Sequence, residues 1–211
     1  MNKLTKISAV LLASLTIASA ANAATTGAYV GGGLGASTLR TPDAEKYYAY
    51  IPGAVKFHNE TGGLGGKLFA GYNFTNNFGI EAAYAQYASS EYKATDFVGN
   101  TVKHTFDLNA VSVVGKAYLP LSNNKFNVYA LGGLALVNAS QEVKINGHKL
   151  KSESVNHIRP TLGLGASYDI NAKLTANVEF SRIFGNGNTK TSLKAIPNAD
   201  MLSAGLAYNF G

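Results

Sequence analysis

The end of the chain, from Met201 to Phe210, alternates at a period of two. Leu202, Ala204, Leu206, Tyr208 and Phe210 form an apolar set, and Met201, Ser203, Gly205, Ala207 and Asn209 form a mostly small or polar one. Seven more alternating stretches precede it. Gly27–Ser37 sets Ala28, Val30, Leu34 and Ala36 against Tyr29 and a row of glycines, and Gly63–Phe74 sets Leu64, Leu68, Ala70, Tyr72 and Phe74 against Lys67, Phe69, Gly71 and Asn73. The third opposes Phe78, Ile80, Ala82 and Tyr84 to Gly79, Glu81, Ala83 and Ala85. The fourth, Phe106–Leu121, is the least regular: Val111, Val113, Ala117 and Leu119 fit one face, with Ser112, Val114, Lys116 and Tyr118 on the other. A fifth starts at Phe126, with Val128, Ala130, Leu134 and Leu136 facing away from Tyr129, Leu131, Gly133 and Ala135. The sixth carries Ile158, Leu162, Leu164, Ala166, Tyr168 and Ile170 against Arg159, Thr161, Gly163, Gly165, Ser167 and Asp169. In the seventh, Leu174, Ala176, Val178, Phe180 and Phe184 oppose Thr175, Asn177, Glu179 and Ser181.

The connections also alternate. Thr75–Asn77, Ser122–Lys125 and Asn171–Ala172 are short turns, whereas Thr38–Gly62, Ala88–Thr105, Ala139–Asn156 and Gly185–Asn198 are long. Strands of about ten residues joined by alternating short and long connections predict an all-β, eight-stranded antiparallel up-and-down transmembrane barrel. Backbone polar groups in lipid must be paired internally, so the first and last strands are expected to meet. The apolar face is then the outer one. At mid-depth it carries no Asp, Glu, Lys or Arg; Arg182 sits near the outer end of its strand, where it can reach lipid head groups. Tyr72, Phe74, Phe78, Phe126, Tyr168, Tyr208 and Phe210 lie on that face close to the short turns, the expected place of a periplasmic aromatic girdle. A soluble lipocalin-like ligand-binding barrel uses the same alternation with the faces reversed. Against it, the second face is rich in Gly, Ala and Ser and poor in charge.

Composition adds an address. Lys3 and Lys6, the apolar run Ile7–Ala20 and the small-x-small triplet Ala21-Asn22-Ala23 read as a cleaved secretory signal peptide over residues 1–23, leaving a barrel domain over 24–211. Removing those two lysines takes the formal net charge from +6 to +4. Cys is absent, which excludes a lipoprotein anchor, a disulfide framework and thiolate metal sites. No cofactor, metal or nucleic-acid partner is expected. The string GGGLG at 31–35 has no following helix to make a phosphate loop.

The stretches GYNFTNNFGIEAAY, VYALGG, YDINAKLTANVEF and DMLSAGLAYNFG resemble the N-terminal transmembrane domain of the OmpA family, over nearly the whole mature chain. The resemblance implies an eight-stranded barrel in a Gram-negative outer membrane, with roles in envelope integrity, surface adhesion and weak pore formation. It implies an interior pair at the positions of Glu81 and Lys116, and an assembly signal in the closing strand. Ser167 and Asn177 stand where the family has an acid and a base, which puts its gating scheme in doubt here. Where full-length members continue into a peptidoglycan-binding domain, this sequence stops at Gly211, so wall tethering is not expected.

Inside the barrel, Lys67, Glu81, Lys116 and Glu179 fall at similar depths, with Arg159 and Asp169 also inward. Buried charges need partners, so a paired, side-chain-filled interior is expected; a gate that opens when pairs exchange is the sharper alternative. Lys144, Lys149, Lys151, Lys190 and Lys194 in the long connections suit lipopolysaccharide phosphates, with Arg182, Lys190 and Lys194 as the candidate contacts. His58, His104, His148 and His157 lack metal-ligand spacing, and His157 with Ser154 or Glu153 is the only local grouping that an acyl-transfer enzyme could use. The expectation is a monomeric, non-enzymatic outer-membrane barrel whose loops meet a host or surface ligand. A narrow low-conductance porin is the alternative.

Overall fold

Ten strands, all antiparallel, form one closed sheet in the computed structural model, which describes residues 26–40, 54–60, 62–96, 101–121, 125–146, 148–185 and 198–210. They are β1 (Gly27–Arg40), β2 (Ala54–Glu60), β3 (Gly62–Asn73), β4 (Phe78–Gln86), β5 (Ser90–Asp96), β6 (Thr101–Leu121), β7 (Phe126–Ile145), β8 (His148–Asn171), β9 (Leu174–Ile183) and β10 (Asn198–Asn209). β4 and β5 pair with successive parts of β6, separated only by the bulge at Tyr87–Ser89, and β2 and β3 lie in the same relation to them. The closed wall therefore has eight staves. β10 pairs with β1 and β6 with β7, so no sheet edge is left within the wall.

Following hydrogen-bonded partners once round, Ala28 leads through Tyr72, Ile80, Gly115, Gly132, Leu162, Arg182 and Asp200 to Thr38, ten residues further along β1. That stagger gives eight staves the tilt of roughly 40° at which a small barrel closes around packed side chains. The turns at one end are held locally. Thr75 Oγ1 accepts hydrogen bonds from the backbone N–H of Asn77 and Phe78 at 3.2 and 3.0 Å, and Asn171 Oδ1 accepts from Lys173 and Leu174 at 2.8 and 3.0 Å.

The outward face is apolar across all eight staves: Leu34, Leu64, Leu68, Phe78, Val113, Leu134, Leu162, Leu164, Val178, Leu202 and Leu206 are each more than half exposed. A surface of that kind suits a lipid surround and not water. Its upper boundary is a polar row in cross-strand register, Gln86, Asn109, Asn138 and Asn156, in which Asn138 Nδ2 donates to Asn156 Oδ1 at 2.6 Å.

Three of the four long connections contain strand, the first of them through β2, which pairs with β5. Residues 90–96 and 101–105 are strand, and 139–145 pairs with 148–155, so β5, β6, β7 and β8 continue well past the polar row. Their charge and Ser/Thr content reads as loop because both faces stand clear of the apolar belt, which removes the oily half of the alternation. Backbone pairing nonetheless continues, and Asn146, at φ 49°, turns β7 into β8 in the left-handed region that Asn tolerates. In the first and last long connections, residues 41–53 and 186–197 lie outside the described residues, as does the segment 1–25 that holds the expected signal peptide.

Candidate functional site

Lys67 on β3, Glu81 on β4, Lys116 on β6 and Glu179 on β9 converge in the lumen, none more than 9% exposed. They form a square of alternating charge. Lys67 Nζ lies 2.6 Å from Glu179 Oε1 and 3.4 Å from Glu81 Oε1; Lys116 Nζ lies 2.8 Å from Glu81 Oε2 and 3.8 Å from Glu179 Oε2. Two cations and two anions leave no net charge, and each ion meets two of the opposite sign. This sharing offsets part of the desolvation that would make a single buried pair unfavourable.

A repeated three-strand row builds each acid into the wall. Tyr29, Gly71 and Glu81 are direct cross-strand neighbours on β1, β3 and β4; Tyr129, Gly165 and Glu179 are the same on β7, β8 and β9, half a turn round the barrel. In each row the tyrosine ring lies over the glycine, where a Cβ would collide with the ring Cζ. The hydroxyl then reaches the acid beyond it: Tyr29 donates to Glu81 Oε2 and Tyr129 to Glu179 Oε2, both at 3.0 Å. Lys116 Nζ stands 4.2 Å from the Tyr129 ring centre and Lys67 Nζ 5.0 Å from that of Phe69, so aromatic faces supply further neighbours for the cations.

Below the square, towards the short turns, the lumen is polar. A cavity of about 50 Å³ is lined there by Asn73, Asn127, Ser167, Asp169, Asn177 and Asn209, among others. Asp169 accepts from Thr175 at 2.6 Å, whereas the buried Oδ1 atoms of Asn73 and Asn127 have no protein partner.

Above the square, the lumen is apolar. Leu39, Tyr87, Phe106, Leu108, Val137 and Met201, each at most 5% exposed, pack with Ala110, Ala135, Ala139, Ile183 and Ala199 into one cluster. The cluster also explains why the fourth alternating stretch reads poorly: Phe106, Leu108 and Ala110 fill the interior while Val111 and Val113 face out, so both faces of β6 are apolar. Arg159 and His157, partly exposed on the inward face of β8, flank this layer, and Arg159 Nε is buried without a partner.

On the outer surface Arg182 is not a free cation. Its Nε and Nη2 grip the two carboxylate oxygens of Asp200, its cross-strand neighbour on β10, at 2.5 and 2.8 Å. Asp200 is an outward acid that the apolar-face reading overlooks. Lys190 and Lys194 lie outside the described residues. Tyr72, Phe74, Phe78, Phe126, Tyr168, Tyr208 and Phe210 share the outward face beside the short turns, with Tyr72 against Phe74 at 5.4 Å and Tyr208 against Phe210 at 5.1 Å between ring centres. Ser154 and His157 are three apart on one strand and take opposite faces, so the structure does not bring that grouping together. The side chains of His58, His104, His148 and Glu153 are outside the described set. On the projecting strands Lys144 Nζ lies 2.7 Å from Glu142 Oε1, a hydrogen bond that raises the lysine pKa above its ordinary value.

Tyr29 and Tyr129 are the residues that a search for charge misses. Each is an aromatic on the small-residue face of its strand, paired in register with a glycine, and that mismatch of size is the signal that could have found them.

A family model described as outer membrane protein beta-barrel domain matches residues 7–210. An uncharacterized protein of Coxiella burnetii is 25% identical over 177 residues, covering 70% of this chain and 68% of that protein. Among solved structures, Neisserial surface protein A is similar with a TM-score of 0.56 at 15% identity, covering 87% of this chain and 97% of its own. Ail, the attachment invasion locus protein of Yersinia pestis, gives 0.52 at 14% identity with the same coverage, and it has also been solved with the heparin analogue sucrose octasulfate.

Proposed function

The chain belongs to the outer-membrane β-barrel family, and from that premise we propose that it serves the cell surface as a structural and interaction protein, contributing to envelope integrity and holding a host or surface ligand. The observation that carries this reading is the sheet of β5, β6, β7 and β8 that continues past the Gln86–Asn156 polar row. Paired strands outside the lipid belt hold their backbone in register, so a ligand can dock on them without first ordering a loop. In the same reading the chain is exported with cleavage after residue 23, and the outward aromatics near the short turns form the periplasmic girdle. Lipopolysaccharide phosphates meet Lys190 and Lys194; Arg182 contributes through the part of its guanidinium that Asp200 leaves open.

A sulfated polysaccharide is a reasonable first probe, because the similar protein Ail has been crystallised with a heparin analogue. Ser140 and Ser154 face each other directly, so residues 141–153 can be replaced by an Asn-Gly turn without disturbing the barrel below. Binding of the shortened protein to immobilised heparin and to host-cell matrix is expected to fall at least tenfold while the heat-dependent gel shift is retained. Unchanged binding to both surfaces would overturn the adhesion reading. The narrow-porin alternative draws no support from the lumen, whose upper level is packed with buried apolar side chains.

A further inference from the structure

Three levels succeed each other along the lumen: an amide-rich cavity near the short turns, the charge square, and the apolar cluster at the outer end. We propose that the lumen is a well open only to the periplasm, and that the layer of Leu39, Tyr87, Leu108, Val137, Ile183 and Met201, not the charge square, bars passage to the outside. The inference concerns the interior and is independent of any surface ligand.

Two observations carry it. Asn127 is 4% exposed and its Oδ1 has no protein partner, as is true of Asn73 Oδ1, and both residues line a cavity large enough for water. Buried amide oxygens are rarely left unsatisfied, and a polar cavity of this size meets the conditions for holding solvent. Ser167, Asn177, Asp169, Thr175 and Asn209 supply the donors and acceptors for such water up to Lys116 and Tyr129. The outer cluster offers the opposite. Val137, Ala135, Ala139 and Ala199 are fully excluded from solvent, and Leu39 and Met201 are 1% exposed. An ion in that layer loses its hydration shell against mostly apolar walls, where the buried hydroxyls of Ser37 and Thr161 are already hydrogen-bonded, and constrictions of this type exclude ions by staying dry. The charge square is a weaker barrier, because its ions offer a polar surface on the side facing the cavity.

A few polar side chains enter this level as well: Ser37 beside Met201 and Thr161 beside Ile183 are each at most 4% exposed, Ser37 Oγ accepting from the Ala88 N–H at 2.7 Å and Thr161 Oγ1 donating to the Arg182 carbonyl at 3.1 Å. Arg159 enters beside Ala135 on the neighbouring strand and is only part-buried.

The absence of Cys makes the test direct, since single cysteines can be introduced into the full mature chain without background. With the protein in phosphatidylcholine vesicles, its orientation fixed by protease cleavage of the projecting strands, Asn177→Cys and Val137→Cys are exposed to a small charged thiosulfonate from either side. Asn177→Cys is expected to react from the periplasmic side at least 100-fold faster than from the outer side, and Val137→Cys to be protected from both. Equal reaction of Asn177→Cys from the two sides, or ready reaction of Val137→Cys, would overturn the proposal. In planar bilayers, polar substitution of the layer by Leu108→Ser should raise conductance at least tenfold more than Glu81→Gln does; the reverse order would identify the square as the barrier instead. Both substitutions are compared only after the heat-dependent gel shift shows a closed barrel, and the cysteine results decide the matter alone if either fails it.

Discussion

The inner and outer halves of the lumen close the same barrel by different chemistry. The inner half is held by four charges, two tyrosines and the glycines beneath them, each group placed by cross-strand register. The outer half is held by apolar packing from seven staves, with no ion pair inside it among the described residues. Removing one group from the first strands its partners; removing one from the second leaves a void. The contrast shows that a narrow barrel can be filled by either means, and that only the polar means has specific, breakable links.

The largest effect is expected from breaking the square. Glu81→Ala leaves Lys116 and the Tyr29 hydroxyl without their short contacts, and the loss should be about 3–5 kcal/mol of unfolding free energy, measured by urea titration in lipid vesicles. Restoring neutrality in the double variant Glu81→Ala/Lys116→Met should recover part of that loss; no recovery would mean the four charges do not act as a unit. In the outer half, Leu108→Ala removes a side chain that is 2% exposed, with an expected cost of about 2–4 kcal/mol. No single apolar partner should rescue it as a countercharge does. The glycines sharpen the comparison further. Gly165→Ala drives a methyl into the Tyr129 ring and should cost about 1–3 kcal/mol, whereas Gly115→Ala, whose added Cβ meets nothing nearer than 3.9 Å, should change stability by less than about 0.5 kcal/mol. Equal effects at both positions would remove the role assigned to the tyrosine–glycine rows.

How far these features are legible in the sequence follows from the same contrast. Period-two alternation reveals the eight staves, since lipid outside imposes an apolar face on every strand that crosses it. The inward charges stand out because they interrupt a face of Gly, Ala and Ser. The outer apolar layer does not stand out, because Phe106, Leu108 and Ala110 sit beside outward Val111 and Val113 and erase the alternation that would have assigned them. The projecting strands are hidden for the opposite reason: beyond Asn109 and Asn138 no lipid demands an oily face, and their polar sequence resembles a loop. Arg182 and Asp200 are eighteen residues apart in the connection-rich end of the chain, and only the register of β9 with β10 makes them neighbours.

The most direct measurement is the conductance of the unaltered full mature chain in a planar bilayer of defined lipid at high salt. A lumen closed by its outer apolar layer predicts no resolved, lasting current steps above the bare membrane. A steady, salt-proportional conductance of the size expected for a continuous water-filled path would contradict it.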